Sequence, residues 1–244
     1  MPTLIEKVEK YVSENISDFH NSKLEGLKKL KLAKILSRKN PYLYKAKNML
    51  TAEEIVKGIV DAHLSSNEET IFGDWLEKLA IFIAKSEFGG QKSSTNGVDL
   101  QIEKGGTTYL VSIKSGPNWG NSSQIKKMIA DFNLAKKTLK TSGNKIHVEA
   151  VNGCCYGKDD VPEKGQYIKL CGQRFWTFIS EDPNLYTSII EPLGYEAVER
   201  NSDFLAEYAK VINKFVEEFL LKFMNADGAI DWQKIVKFNS EAKV

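Results

Sequence analysis

The sequence of 244 residues predicts a mixed α/β (α+β) fold, in which a sheet is flanked by helices and further helices are added at both ends. Three observations carry that expectation. A hairpin turned on two glycines occupies residues 98–114. Helical periodicity brackets it on both sides, and an apolar run at 145–151 supplies a further strand. Amphipathic helical patterns then fill the N- and C-terminal regions of the chain.

From the N-terminus, apolar residues at 4, 5, 8, 12 and 16 follow a helical period from Leu4 to Ile16. Ser22 is placed to cap a second helix reaching Arg38, with Leu24, Leu27, Leu30, Leu32, Ile35 and Leu36 on its apolar side. Asn40-Pro41 ends it, because a residue before proline avoids the α region. The stretch Asn40 to Asn48 then reads as irregular, aromatic and basic. Such a stretch suits either a nucleic-acid track or a packed corner between helices.

Thr51 with Glu54 forms a capping box and starts a helix to about Leu64. Ser66 to Glu69 signals another start, and the next helix runs to about Phe88, where Gly89-Gly90 stops it. The hairpin follows: Val98, Leu100 and Ile102 alternate with Asp99, Gln101 and Glu103, Gly105-Gly106 turns the chain, and Tyr109 to Lys114 returns. A short strand at Gln91 to Ser94 would precede it. After a Gly/Asn/Ser loop come a helix from Ser122 to Leu139, a strand from Lys145 to Val151, a strand from Tyr167 to Leu170 and a helix opening at Gly172. Phe204 to Met224 reads as a long amphipathic helix, broken at Asp227-Gly228, with a last segment at Ile230 to Val236. The whole reads as one domain over residues 1–244. Within it, residues 1–66 form a helical region, residues 67–180 the core, and residues 181–244 a second helical region.

The net charge is +2, which neither demands nor excludes nucleic acid. Its distribution is more informative. Nine Lys or Arg residues against Glu25 alone lie between Lys23 and Lys47, among them Lys39, Lys45 and Lys47. A second run, Lys126, Lys127, Lys136, Lys137, Lys140 and Lys145, follows the hairpin. Clustered lysines suit a phosphate backbone, though each run also fits a solvated helix face. The three cysteines have no metal-ligand spacing or disulfide framework, and the three histidines are scattered. The first residues carry no basic and apolar leader pattern, and no apolar run approaches the ~18 residues of a membrane span, so a cytoplasmic protein without a membrane partner is expected.

Residues two apart on a strand share a face, so Ser112 and Lys114 point the same way, and Asp99 on one strand can face the end of the next. Asp99, the triplet Ser112-Ile113-Lys114 and the continuation Ser115 to Gln124 resemble the signature of the PD-(D/E)XK nucleases. The resemblance implies a restriction-endonuclease-like core with a central mixed sheet flanked by helices. Two positions depart from the signature: Val98 stands where Pro is usual, and Ser112 stands at the acidic position of the triplet. In such nucleases a Glu from the preceding helix often enters the metal site, which makes Glu77 the candidate, with Glu87 and Glu69 behind it. The wider pattern, RKNPYLYKAKN, GNSSQ, GQRFW and IIEPLG, resembles a group of type II restriction endonucleases.

That resemblance implies a Mg²⁺-dependent enzyme cutting double-stranded DNA at a short specific sequence, leaving 5′-phosphate and 3′-hydroxyl ends. Asp99, Glu77 and the Ile113 carbonyl would bind the metal. Lys114 would act at the attacking water, Ser112 would hydrogen-bond a water or the phosphate, and Gln124 would help orient the site. Expected DNA contacts are Lys39, Lys45, Lys47, Asn118, Trp119, Asn121, Ser122, Ser123, Lys126 and Lys158, the last on the polar loop 156–166. A double-strand cut at a palindrome needs two sites, so a homodimer is expected. A cognate DNA methyltransferase would act on the same sequence without needing to bind this chain. Two other functions also fit these residues: a nuclease of the same fold without site specificity, serving repair or a mobile element, and a non-catalytic DNA-binding module with a decayed site.

Overall fold

The computed structural model describes residues 2–93, 95–141, 147–195 and 197–242. In chain order the elements are α1 (Leu4–Lys28), α2 (Leu32–Leu36), α3 (Pro41–Ala46), α4 (Ala52–Phe88), β1 (Gln91–Lys92), β2 (Leu100–Lys104), β3 (Thr107–Lys114), α5 (Ser122–Thr141), β4 (His147–Cys154), β5 (Ile168–Cys171), α6 (Gln173–Ser180), α7 (Leu185–Ser188), α8 (Ile190–Leu193), α9 (Ala197–Phe223) and α10 (Trp232–Ser240). They divide into two compact units, one of Met1–Ile16 with Phe72–Tyr195, the other of Ser17–Ile71 with Glu196–Val244.

The first unit holds the sheet, ordered β1-β2-β3-β4-β5. β1, β2 and β3 are antiparallel neighbours, while β4 and β5 add in parallel, so the sheet is mixed as expected. Lys104 pairs with Thr107 across a two-residue turn whose glycines both have positive φ, 58° and 76°. That is the geometry a tight hairpin requires and Gly supplies without strain. Leu110 on β3, with Val148 and Ala150 on β4, packs with Val98 against Met128, Phe132 and Ala135 of α5. Ser112 and Lys114 continue the Leu110 face by the two-residue period. At Gly153 on β4 an added Cβ would fall 2.2 Å from the Phe175 ring, so only glycine lets α6 approach the sheet there. The strand expected to end at Val151 runs on to Cys154; Lys145 and Ile146 lie outside the described residues. The short first strand is Gln91–Lys92, and Ser94 also lies outside them.

The second unit is helical and draws its core from both ends of the sequence. Leu27, Leu32, Ile35, Leu36, Ile55, Ile59 and Val60 share one cluster with Phe204, Ile212, Phe215, Phe219 and Ile235. The stretch 40–48 is not irregular. Asn40 accepts hydrogen bonds from the Tyr42 and Leu43 N–H groups, and Pro41 occupies the first turn of α3. Asn-Pro therefore starts a helix here, proline's fixed φ and missing N–H being tolerated in a first turn. The capping box forms as expected, with Glu54 accepting from the Thr51 N–H at 3.0 Å and Thr51 Oγ1 from the Glu54 N–H at 3.2 Å.

Two other helix boundaries differ from expectation. The helix expected from Ser22 to Arg38 is replaced by the end of α1 at Lys28, a turn, and the short α2. The two helices expected at 51–64 and 66–88 are one, α4. Ser66 to Glu69 reads as a start signal, but serine and asparagine inside a helix cost only a few tenths of a kcal/mol, roughly, against the best formers. Burial of Leu64 and an ion pair from Glu68 to Lys23 at 3.1 Å hold the helix through that point.

Candidate active site

The site forms where β2 and β3 part. The Asp99 N–H donates to the Val111 carbonyl at 2.9 Å, one residue before β2 begins. Two residues further along β3, the Ile113 N–H leaves the same edge with no β2 residue opposite it. The Asp99 carboxylate takes that N–H at 2.7 Å, completing the ladder with a side chain. Ser112 Oγ donates to the same oxygen at a long 3.4 Å, and Lys114 Nζ stands 3.9 Å from it. Both charged side chains are partly open to solvent, Lys114 by 31% and Asp99 by 23%. The four positions therefore converge as the strand period requires: Asp99 and Lys114 at the rim, Ser112 and Ile113 buried beneath them.

Glu77 comes from α4. On that helix Gly73 leaves room for Ser115, whose Cβ would lie 3.3 Å from an added Cβ, so the helix closes on the end of β3. Glu77 is half-buried. Burial pushes its carboxyl above the usual range, the negative charge of Asp99 pushes it further, and Lys114 pulls it back. A half-buried carboxyl whose ionisation is opposed by burial and by a neighbouring carboxylate is what a hard cation relieves. Asp99, Glu77 and the Ile113 carbonyl, which leaves β3 on the same edge as its N–H, thus fit a divalent ion that keeps open positions for water and phosphate. Among the described residues no group of three or more His, Cys, Asp or Glu side chains is placed to hold a metal ion, and the carboxylates offered here are Asp99 and Glu77. Cys155 lies close behind: burial and the Glu77 charge push its thiol up to about 12, so it stays neutral.

The remaining expected residues fall in several places. Gln124 caps α5, its Oε1 accepting from the Asn121 N–H at 2.9 Å, while Asn121 Oδ1 accepts from the Ser123 and Gln124 N–H groups. Asn118, Asn121, Ser122, Ser123 and Lys126 are exposed along the loop after β3 and the first turn of α5. Lys158 is exposed on the loop beyond β4, next to Asp159, which binds Lys164 at 3.0 Å and Lys169 at 3.4 Å. Lys39, Lys45 and Lys47 belong to the second unit, where Lys45 lies over the Trp232 ring at 5.4 Å. Of the alternates to Glu77, Glu87 is paired with Lys7 at 3.9 Å, and Glu69 belongs to the second unit.

Trp119 does more than line the loop. Its Nε1–H donates to Asn152 Oδ1 at 3.0 Å, and its ring lies 5.4 Å from Lys114 Nζ. Asn152 is a site residue that the sequence does not single out, because the strand expected to end at Val151 runs three residues further. A lone amide in the apolar run Ala150-Val151-Asn152-Gly153-Cys154 was the available signal.

The profile of the family described as Type II restriction endonuclease EcoO109I matches residues 6–201. The chain belongs to that family. No curated protein matches it. A type II restriction endonuclease of this family is a nuclease that binds and hydrolyses DNA, and the family generally uses a divalent metal ion. The mixed sheet between helices agrees with a PD-(D/E)XK core. No described helix is long and apolar enough to cross a membrane.

Proposed function

We propose that this restriction endonuclease cuts both strands of DNA at a short specific sequence, in a Mg²⁺-dependent reaction centred on Asp99, Glu77, Ile113 and Lys114. The observation that carries the reading is the convergence of Asp99, the Ile113 backbone and Lys114 on one point of the sheet edge, beside the half-buried Glu77. A Mg²⁺ ion there would supply Lewis-acid charge against the scissile phosphate. Asp99 holds its carboxylate still by accepting the Ile113 N–H, so the chain orders its principal ligand before substrate arrives. Lys114 presents an ammonium at the rim, where it orients the attacking water and offsets the charge that develops on the phosphate. Ser112 adds no charge; its hydroxyl steadies Asp99 instead, which leaves Glu77 as the second carboxylate.

The loop and α5 residues Asn118, Asn121, Ser122, Ser123 and Lys126, together with Lys158, would contact the DNA near the scissile bond. Lys39, Lys45 and Lys47, all solvent-facing or at the surface of the second unit, would neutralise backbone phosphates. A cut through both strands of a palindrome calls for a homodimer, and a cognate methyltransferase would protect the same sequence. Digestion of a plasmid with and without EDTA tests the reading. Discrete bands that need Mg²⁺ support it. A smear would favour a nuclease without site specificity, and DNA binding with no cutting would make Ser112 the mark of a decayed site.

A further inference from the structure

A lysine ammonium on a four-carbon stem does not hold its own place. Asp99 does not fix it either, since 3.9 Å is too long for a hydrogen bond. Glu77 feels the ammonium's charge as well, and the face of Trp119 lies 5.4 Å from Lys114 Nζ, within the reach of a cation–π attraction. Trp119 is itself pinned. Its indole N–H donates to Asn152 Oδ1 at 3.0 Å, and Asn152 Nδ2 donates to the Ser112 carbonyl at 3.2 Å. The indole can only donate and the carbonyl can only accept, so the Asn152 amide has a single orientation that satisfies both. Asn152 is 1% exposed and pairs in register with Ser112 across the parallel strands β3 and β4. The loop carrying Trp119 is tied down beside it, with Lys169 Nζ donating to the Pro117 carbonyl at 2.9 Å.

We infer that Trp119, locked to the β3 backbone through Asn152, is a positioning residue that holds the Lys114 ammonium over the reacting phosphate. A rigid relay thus runs from the Ser112 carbonyl through a buried amide and an indole to the face on which the ammonium rests. It returns to the same strand two residues from where it began. The inference rests on the proposed role of Lys114, and it gives Trp119 a task other than the DNA contact expected from its place in the loop.

The test compares K114A, W119F and W119L with the wild type in steady-state cleavage of a cognate duplex, with DNA affinity measured in Ca²⁺ to block cutting. W119L lowers kcat roughly tenfold, the worth of a cation–π contact when it bears on the transition state, and leaves KM and the Ca²⁺ Kd near wild type. W119F keeps a smaller aromatic face, loses the indole N–H, and falls between W119L and wild type. Both variants deprive the buried Asn152 Oδ1 of its indole donor, so they melt below wild type and kcat is read well below each melting transition. Weakened DNA binding with kcat unchanged would overturn the inference and make Trp119 a DNA contact. Unimpaired cutting by both Trp119 variants beside an inactive K114A would sink the inference alone. Normal cutting by K114A would instead remove the proposed site.

Discussion

Replacing Asp99 separates its structural task from its chemical one. Its carboxylate accepts the buried Ile113 N–H at 2.7 Å, a charge-assisted bond, whereas the Ser112 contact at 3.4 Å is weak. Asp99→Asn keeps an oxygen for the Ile113 N–H and removes the charge that opposes Glu77. Asp99→Ala leaves that N–H without a partner, a loss of about 1–3 kcal/mol. The ion pair with Lys114, long and partly exposed, adds at most about 1 kcal/mol to either change. For a chain of this size each kcal/mol moves Tm by about 2–4 °C. The alanine variant should therefore melt several degrees below wild type, and the asparagine variant close to it. Both should lose at least roughly two orders of magnitude in cleavage, because the metal charge and its placement go together. Differential scanning calorimetry in EDTA and plasmid digestion in Mg²⁺ read the two effects. Equal melting of the two variants would refute the ladder-completing role, and normal cutting by Asp99→Asn would refute the chemical one.

Glu77→Gln should cut poorly, require more Mg²⁺, and be partly restored by Mn²⁺; an unchanged Mg²⁺ titration would remove Glu77 from the metal site. In metal-free protein the same change has a pH signature. The folded wild type holds the Glu77 proton more tightly than the unfolded chain does. The stability this contributes is present below the ordinary Glu value and is lost as pH rises through the raised one. The Tm advantage of Glu77→Gln in EDTA should thus grow with pH across that window, and a flat difference would contradict the burial and repulsion at Glu77. Thr51→Ala should cost about 1 kcal/mol through loss of the α4 cap, with cleavage at permissive temperature unchanged. Sedimentation on a cognate duplex in Ca²⁺ should show two chains per duplex; one chain per duplex with concerted double-strand cleavage would exclude the homodimer.

The hairpin was legible because two independent local signals agree there. Gly105-Gly106 permits only a tight turn, and the alternation on either side sets the register that brings Asp99 to Ile113 and Lys114. Glu77 was legible only through resemblance, since its approach depends on Gly73 packing against Ser115, a contact between residues far apart in the chain. Helix ends were misread where one residue type serves two purposes. Asn40-Pro41 both stops and starts helices, and Ser66 to Glu69 suits a helix start yet is carried inside α4 by tertiary contacts. The core shared by residues 27–64 and 204–235 leaves no local mark at all, because neither segment's periodicity names its partner. Ser112, read as a departure from an acidic position, is buried, and its hydroxyl makes a long 3.4 Å contact to Asp99.

Sequencing the ends released from one long DNA of known sequence, digested by wild type and by Asp99→Asn in parallel, tests the central claim most directly. The site described predicts that wild-type ends map to one recurrent short sequence on both strands, carry 5′-phosphates, and are missing from the Asp99→Asn digest. Ends scattered without a common sequence, or the same cuts persisting in Asp99→Asn, would contradict it.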